Sequence, residues 1–108
     1  MSIDRHFDLV ITIVNRGFAD QVMAAAKKGG AQGGTVVYAR GAGIHEAEKF
    51  FGISIQPEKE IVMIIVERDN RSSIMQEISK EAGLNTPGRG LSFSLPVTHV
   101  AGIVHLEK

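Results

Sequence analysis

The sequence predicts an α+β fold of order β-α-β-β-α-β, and three observations predict it. Four stretches rich in β-branched and other apolar residues read as strands, at 7–14, 35–40, 60–67 and 91–97. Two stretches between them carry apolar residues at helical spacing and end on glycine. A long segment, 41–57, bounded by Gly41 and Pro57, separates the second and third strands with no helical stripe inside it. That order is the split βαβ, ferredoxin-like arrangement, in which two helices cover one face of a four-stranded antiparallel sheet.

Each element has its own warrant. Phe7 to Val14 is apolar at both parities, which suits a strand in the middle of a sheet. Asn15-Arg16-Gly17 breaks it. Phe18, Val22, Ala25 and Ala26 then form the stripe of a first helix over about 18–29, with Lys27 and Lys28 opposing the helix dipole and Gly29-Gly30 stopping it. Gly33-Gly34 open the second strand, Thr35 to Arg40. Residues 44–57 show no clean period and are expected to form a long functional loop. Glu60 to Glu67 is a third strand, apolar on both faces. Asp69, Asn70, Ser72 and Ser73 offer N-caps for a second helix with the stripe Ile74, Ile78, Ala82, ended by Gly83. Leu91, Phe93, Leu95 and Val97 alternate with Ser92, Ser94 and Pro96, the pattern of a half-buried strand, and Pro96 places it at an edge or at its end. Val100 to Val104 is expected to continue that strand after a bend. Met63 and Met75 read as core residues.

The sheet is expected to be apolar on both faces. Val10, Thr12, Val14, Val62, Ile64 and Val66 are expected to supply the face away from the helices, and no further helix covers it. A homo-oligomer that packs these faces together is the economical solution.

Length and composition fit a single domain over 1–108. A chain of 108 residues with 44% hydrophobic residues can bury about two-thirds of its unfolded surface. Twelve basic residues balance 12 acidic ones, which gives no electrostatic case for nucleic acid or an anionic membrane. With no cysteine there is no disulfide, thiol nucleophile or thiolate zinc site, which fits a cytoplasmic location. The run Ile61 to Val66 is far short of a membrane span, and no apolar signal core follows the N-terminal charges.

Two glycine-punctuated stretches, Gly41-Ala42-Gly43 and Pro87-Gly88-Arg89-Gly90, lie at strand ends. Glycines there bring bare backbone N–H groups within reach of an anion. Neither spells a phosphate-loop or dinucleotide motif. Together with Gly33-Gly34-Thr35-Val36, the long segment closed by Pro57, and Gly88-Arg89-Gly90-Leu91-Ser92-Phe93-Ser94-Leu95-Pro96-Val97, they make the chain similar to the PII signal-transduction family over nearly its whole length, in particular to its short, divergent members. The resemblance implies a non-enzymatic regulator, a homotrimer with sheets lining a central core. An adenine nucleotide (ATP, ADP or AMP) or another small anion would act as effector, with no cofactor required. Thr35, Gly41, Gly43, Gly88, Arg89 and Gly90 would wall the effector cleft between subunits. Residues 41–57, with His45, Glu46, Phe50 and Phe51, would touch a membrane transporter or metabolic enzyme.

The chain departs from the family at phosphate-facing positions. Leu91 stands for a lysine, Gly102 and Val104 for two arginines, and Ile44 and His45 for an arginine and a glutamine. Charge-assisted phosphate bonds are the strong ones, so triphosphate affinity is expected to fall, with Arg89 in an acidic residue's place supplying one cation. The sole tyrosine, Tyr38, lies in a strand, so uridylylation of a loop tyrosine is not expected.

Other readings of the same residues differ in chemistry. His45, Glu46 and Glu48 could bind a divalent metal in a ferredoxin-like regulatory module, or form a solvated charged loop. Phe50-Phe51 could enter a partner groove or fold back on the oligomer. His99 and His105 read as surface or interface residues. An acylphosphatase-like hydrolase would need an arginine cradle and a water-positioning asparagine, for which Asn15-Arg16-Gly17 is the only candidate.

Overall fold

The computed structural model describes residues 6–42, 48–50, 53–55 and 57–103. Its elements are β1 (Phe7–Asn15), α1 (Ala19–Lys28), β2 (Thr35–Arg40), β3 (Glu48–Phe50), β4 (Ile53–Ile55), β5 (Glu58–Glu67), α2 (Arg68–Ala82) and β6 (Gly90–Val97). The main sheet has the order β2-β5-β1-β6 and is antiparallel throughout. The ferredoxin-like arrangement is therefore present, with β1 central and β6 at an edge, where Pro96 withholds no ladder donor from a further strand.

Four expectations are corrected. Segment 44–57 is not wholly irregular, because β3 and β4 pair in a two-stranded sheet with Lys49 opposite Ser54. Three-residue strands are too short for an alternating pattern to show in sequence. The second helix starts at Arg68, directly off β5, with Glu67 as N-cap and no side-chain cap. Asp69, Asn70, Ser72 and Ser73 lie inside it, and the Arg68 amide donates to the His6 carbonyl oxygen at 2.9 Å. Residues 98–103 form no strand; Ile103 instead buries against Phe7, with Val97 and Val100 beside it.

The fourth correction concerns the two faces of the sheet. Val10, Thr12, Val14, Val62, Ile64 and Val66 face the helices and are fully buried, packed with Val22, Ala25, Ala26, Ile74, Ile78 and Ala82. The bare face belongs to the other parity: Val37, Ile61, Met63, Ile65, Leu9, Ile11, Ile13, Leu91, Phe93 and Leu95, in register across all four strands. Met63 thus lies on the bare face, while Met75 packs on the core. Strand β6 turns Ser92 and Ser94 to the helix side, where Ser92 bonds the buried Thr12 hydroxyl at 2.9 Å, and leaves Leu91 at 53% and Leu95 at 49% exposure.

Close approach fixes two glycines. A Cβ at Gly29 would lie 2.7 Å from Ile74 Cα, where α1 meets α2 and Ser73 Oγ donates to the Gly29 carbonyl. A Cβ at Gly90 would lie 2.3 Å from the Ile13 carbonyl oxygen, and Gly90 also holds φ +138°. No helix among the described residues is long and apolar enough to cross a membrane.

Candidate effector cleft at the loop end of the sheet

One end of the sheet gathers four chain turns: Asn15-Arg16-Gly17 after β1, Arg40-Gly41 after β2, Pro57-Glu58-Lys59 at the start of β5, and Gly88-Arg89-Gly90 before β6. The register forces this, since Asn15 pairs with Lys59, Arg40 with Glu58, and Val14 with Gly90. The Gly41 amide donates to the Pro57 carbonyl at 3.2 Å and closes the neck of the long segment. Lys59 Nζ donates to Asn15 Oδ1 at 2.6 Å, and Asn15 Nδ2 donates to the Gly88 carbonyl at 3.1 Å, tying β5, β1 and the second glycine stretch together.

Electrostatics at this end centre on two glutamates. Glu58 accepts from Arg16 Nη1 through one carboxylate oxygen and lies 3.5 Å from Arg40 Nη2 through the other. The Arg16 amide also donates to the Glu58 carbonyl at 3.2 Å. The hydrogen bond from Arg16 to Glu58, then the attraction between their charges, raises the Arg16 pKa above its ordinary value. Glu60, buried on the helix side, accepts from the Gly17 and Ala19 amides at 2.7 and 3.0 Å. It caps α1 from a neighbouring strand, because Phe18 at the N-cap has no side-chain oxygen.

A cavity of about 570 Å³ opens here, lined by Arg16, Tyr38, Ala39, Arg40, Glu58 and Lys59. The sequence alone does not bring this set together, and offers Arg16 only as part of a hydrolase cradle. The signal was the pair of opposite charges bracketing the long segment, Arg40 before Gly41 and Glu58 after Pro57. With Arg16 engaged by Glu58 and Asn15 by Lys59 and Gly88, neither forms an open phosphate cradle.

The predicted site residues divide by place. Gly41 and the Gly88–Gly90 stretch share this end of the sheet but sit on opposite edges, three strand spacings or about 14 Å apart. At Gly41 an added Cβ would meet nothing, so its backbone is open to approach. Gly88 is equally open and holds φ +81°. Arg89 lies over the Phe18 ring, 5.2 Å from its centroid, beside Gly83 at the C-terminus of α2, where a cation opposes the helix dipole. Thr35 stands at the far end of β2, opposite Met63. Leu91 faces the bare side, and Gly102 is exposed at φ +82°. Glu48 and Phe50 fall in β3. Gly43, Ile44, His45, Glu46, Phe51, Val104 and His105 lie outside the described residues. His99 is exposed, with its Nδ1 3.3 Å from Thr98 Oγ1.

The family described as Nitrogen regulatory protein P-II matches residues 7–106. The chain belongs to the PII family. One solved structure to which it is similar is that of Arabidopsis thaliana PII bound to citrate, at 32% identity and a TM-score of 0.68, covering 87% of this chain and 79% of that one. No curated protein sequence matches the chain. PII membership agrees with the β2-β5-β1-β6 sheet and with the long segment between β2 and β5.

Proposed function

We propose that this PII protein is a trimeric cytoplasmic regulator that binds a small anionic effector in clefts between subunits and controls a partner protein through residues 41–57. The observation that carries the reading is the placement of the two glycine stretches, at one end of the sheet but on opposite edges. Within one subunit they cannot flank a single small ligand. An assembly that sets one subunit's β2 edge beside another's β6 edge puts Gly41 and Gly88–Gly90 on one cleft, with Thr35 further along its wall. At Gly88 the backbone can face an anion without side-chain obstruction, and at Gly41, whose amide is held by the Pro57 carbonyl, the missing side chain leaves room for the ligand.

The bare face supports assembly. Ten large apolar residues in register, several at or above one-third exposure, make a patch that a monomer rarely leaves in water. The similar Arabidopsis thaliana PII bound to citrate supports a small polyanion as one effector class. An adenine nucleotide remains the other, with weaker phosphate contacts than the family's basic residues provide, because Leu91 and Gly102 offer none. Effector binding acts on the partner only by favouring one state of the long segment over another.

Calorimetry with ATP, ADP, AMP and citrate tests the effector. Binding by at least one nucleotide at millimolar ligand or below is expected, and silence from all three ends the nucleotide version. Sedimentation tests the assembly. The wild-type chain should run as a trimer, and Phe93→Lys, which places a charge on the β6 edge of the bare face, should shift it to smaller species. A monomeric wild-type chain at micromolar concentration would refute the inter-subunit cleft.

A further inference from the structure

Three elements meet at Glu58. Arg16 comes from the turn after β1, Arg40 is the last residue of β2, and Glu58 is the first residue of β5. Its carboxylate stands between two guanidinium groups, one oxygen toward each. Beside it the Gly41 amide bonds the Pro57 carbonyl, and the Arg16 amide bonds the Glu58 carbonyl. Side chains and backbone thus fasten the same place, the neck at which the long segment leaves and rejoins the sheet.

Arginine's planar fork is the donor set that carboxylates and phosphates use. A protein carboxylate already engages one nitrogen of each fork here, on the wall of the 570 Å³ cavity. We propose that Glu58 is a built-in anion that clasps the segment's neck through Arg16 and Arg40, and that an anionic effector competes with it for those two side chains. The clasp stands on the geometry alone; the competition rests on the effector reading above. Both arginines are about two-thirds exposed, at 68% and 66%, so the clasp is weak enough for a ligand to exchange with it. Arg40 immediately precedes Gly41, so a ligand that takes Arg40 from Glu58 acts on the residue from which the segment departs.

Amide hydrogen exchange on the full chain tests the clasp without any ligand. In Glu58→Gln the Gly41 and Arg16 amides should exchange about threefold to tenfold faster at low salt. The amides of Val10 and Ile64 in the core should be unchanged, which separates a loosened neck from a destabilised fold. Arg16→Gln/Arg40→Gln should give the same acceleration, and adding Glu58→Gln to it should give no more, since the double variant and Glu58→Gln remove the same two contacts. Unchanged Gly41 exchange in Glu58→Gln, or additive effects in the triple variant, would overturn the clasp.

ATP titration then tests the competition. Glu58→Gln should bind ATP about threefold to tenfold tighter than wild type, and Arg16→Gln/Arg40→Gln more weakly. Equal affinity in wild type and Glu58→Gln overturns the competition. If no variant binds ATP, the nucleotide reading fails and the competition with it, while the exchange result still decides the clasp.

Discussion

The two ends of the β1–β5 pair carry the same constellation in opposite surroundings. At one end Asp8 lies between Arg68 and Arg71; at the other Glu58 lies between Arg16 and Arg40. Asp8 is 2% exposed and accepts from Arg68 through Nε and Nη2 at 3.0–3.2 Å and from Arg71 Nη1 at 2.8 Å. Glu58 is 41% exposed, and water reaches every member of its cluster. A carboxylate removed from water depends on its protein donors, whereas an exposed one can trade them for solvent or ligand. The same charges therefore anchor α2 to the sheet at one end and form an exchangeable contact at the other.

The largest test of this contrast is Asp8→Asn. The amide keeps the shape but loses charge-assisted acceptance from two arginines, and urea denaturation should show a loss of about 1–3 kcal/mol. Arg68→Ala should follow, with a larger loss than Arg71→Ala, because Arg68 supplies the forked contact and Arg71 a single bond. Equal effects of the two arginine variants would mean that the fork adds nothing to a point charge.

Acidification probes the same end. The hydrogen bond from Arg68 holds the Asp8 pKa below its ordinary value, and the charges of Arg68 and Arg71 add to this against the opposing effect of burial. The unfolded chain therefore takes up this proton at a higher pH than the folded one. The Asp8 contribution is full above the unfolded value of about 3.9 and disappears as pH falls through the lower folded value. Urea midpoints of wild type and Asp8→Asn should be well separated at neutral pH and converge below about pH 4. Parallel curves down to acid would show that the Asp8 cluster is not the source.

The ends differ as much in how legible they were. The central position of β1 and the edge position of β6 could be read from two-sided apolarity and from Pro96. Which parity faced the helices could not, because β1 and β5 are apolar at both and the choice depends on where α1 and α2 pack. Strand β6 held the clue in reverse: its serines turn toward the helices, where Ser92 meets Thr12, and its leucines turn away. The α2 start misled because Asp69, Asn70, Ser72 and Ser73 resemble caps. Its position is instead set by long-range contacts, from Arg68 to Asp8 and to the His6 carbonyl. At the loop end the glycines were conspicuous by residue type. The Glu58 cluster joins residues far apart in the chain, so only the strand register brings it together.

Salt gives the smallest effect and separates the two clusters most cleanly. Glu58→Gln should cost less than about 1 kcal/mol at low ionic strength, since exposed pairs exchange protein contacts for water at little net gain. At about 0.5 M NaCl the Debye length shrinks to roughly 4 Å, so most of that difference should vanish. The Asp8→Asn difference should largely persist, because counterions cannot enter around a carboxylate buried under α2. Urea melts of both variants at two salt concentrations read this directly. If the Glu58→Gln loss survived high salt, the loop-end cluster would be a structural anchor like the one at Asp8, and an anionic ligand could not readily displace it.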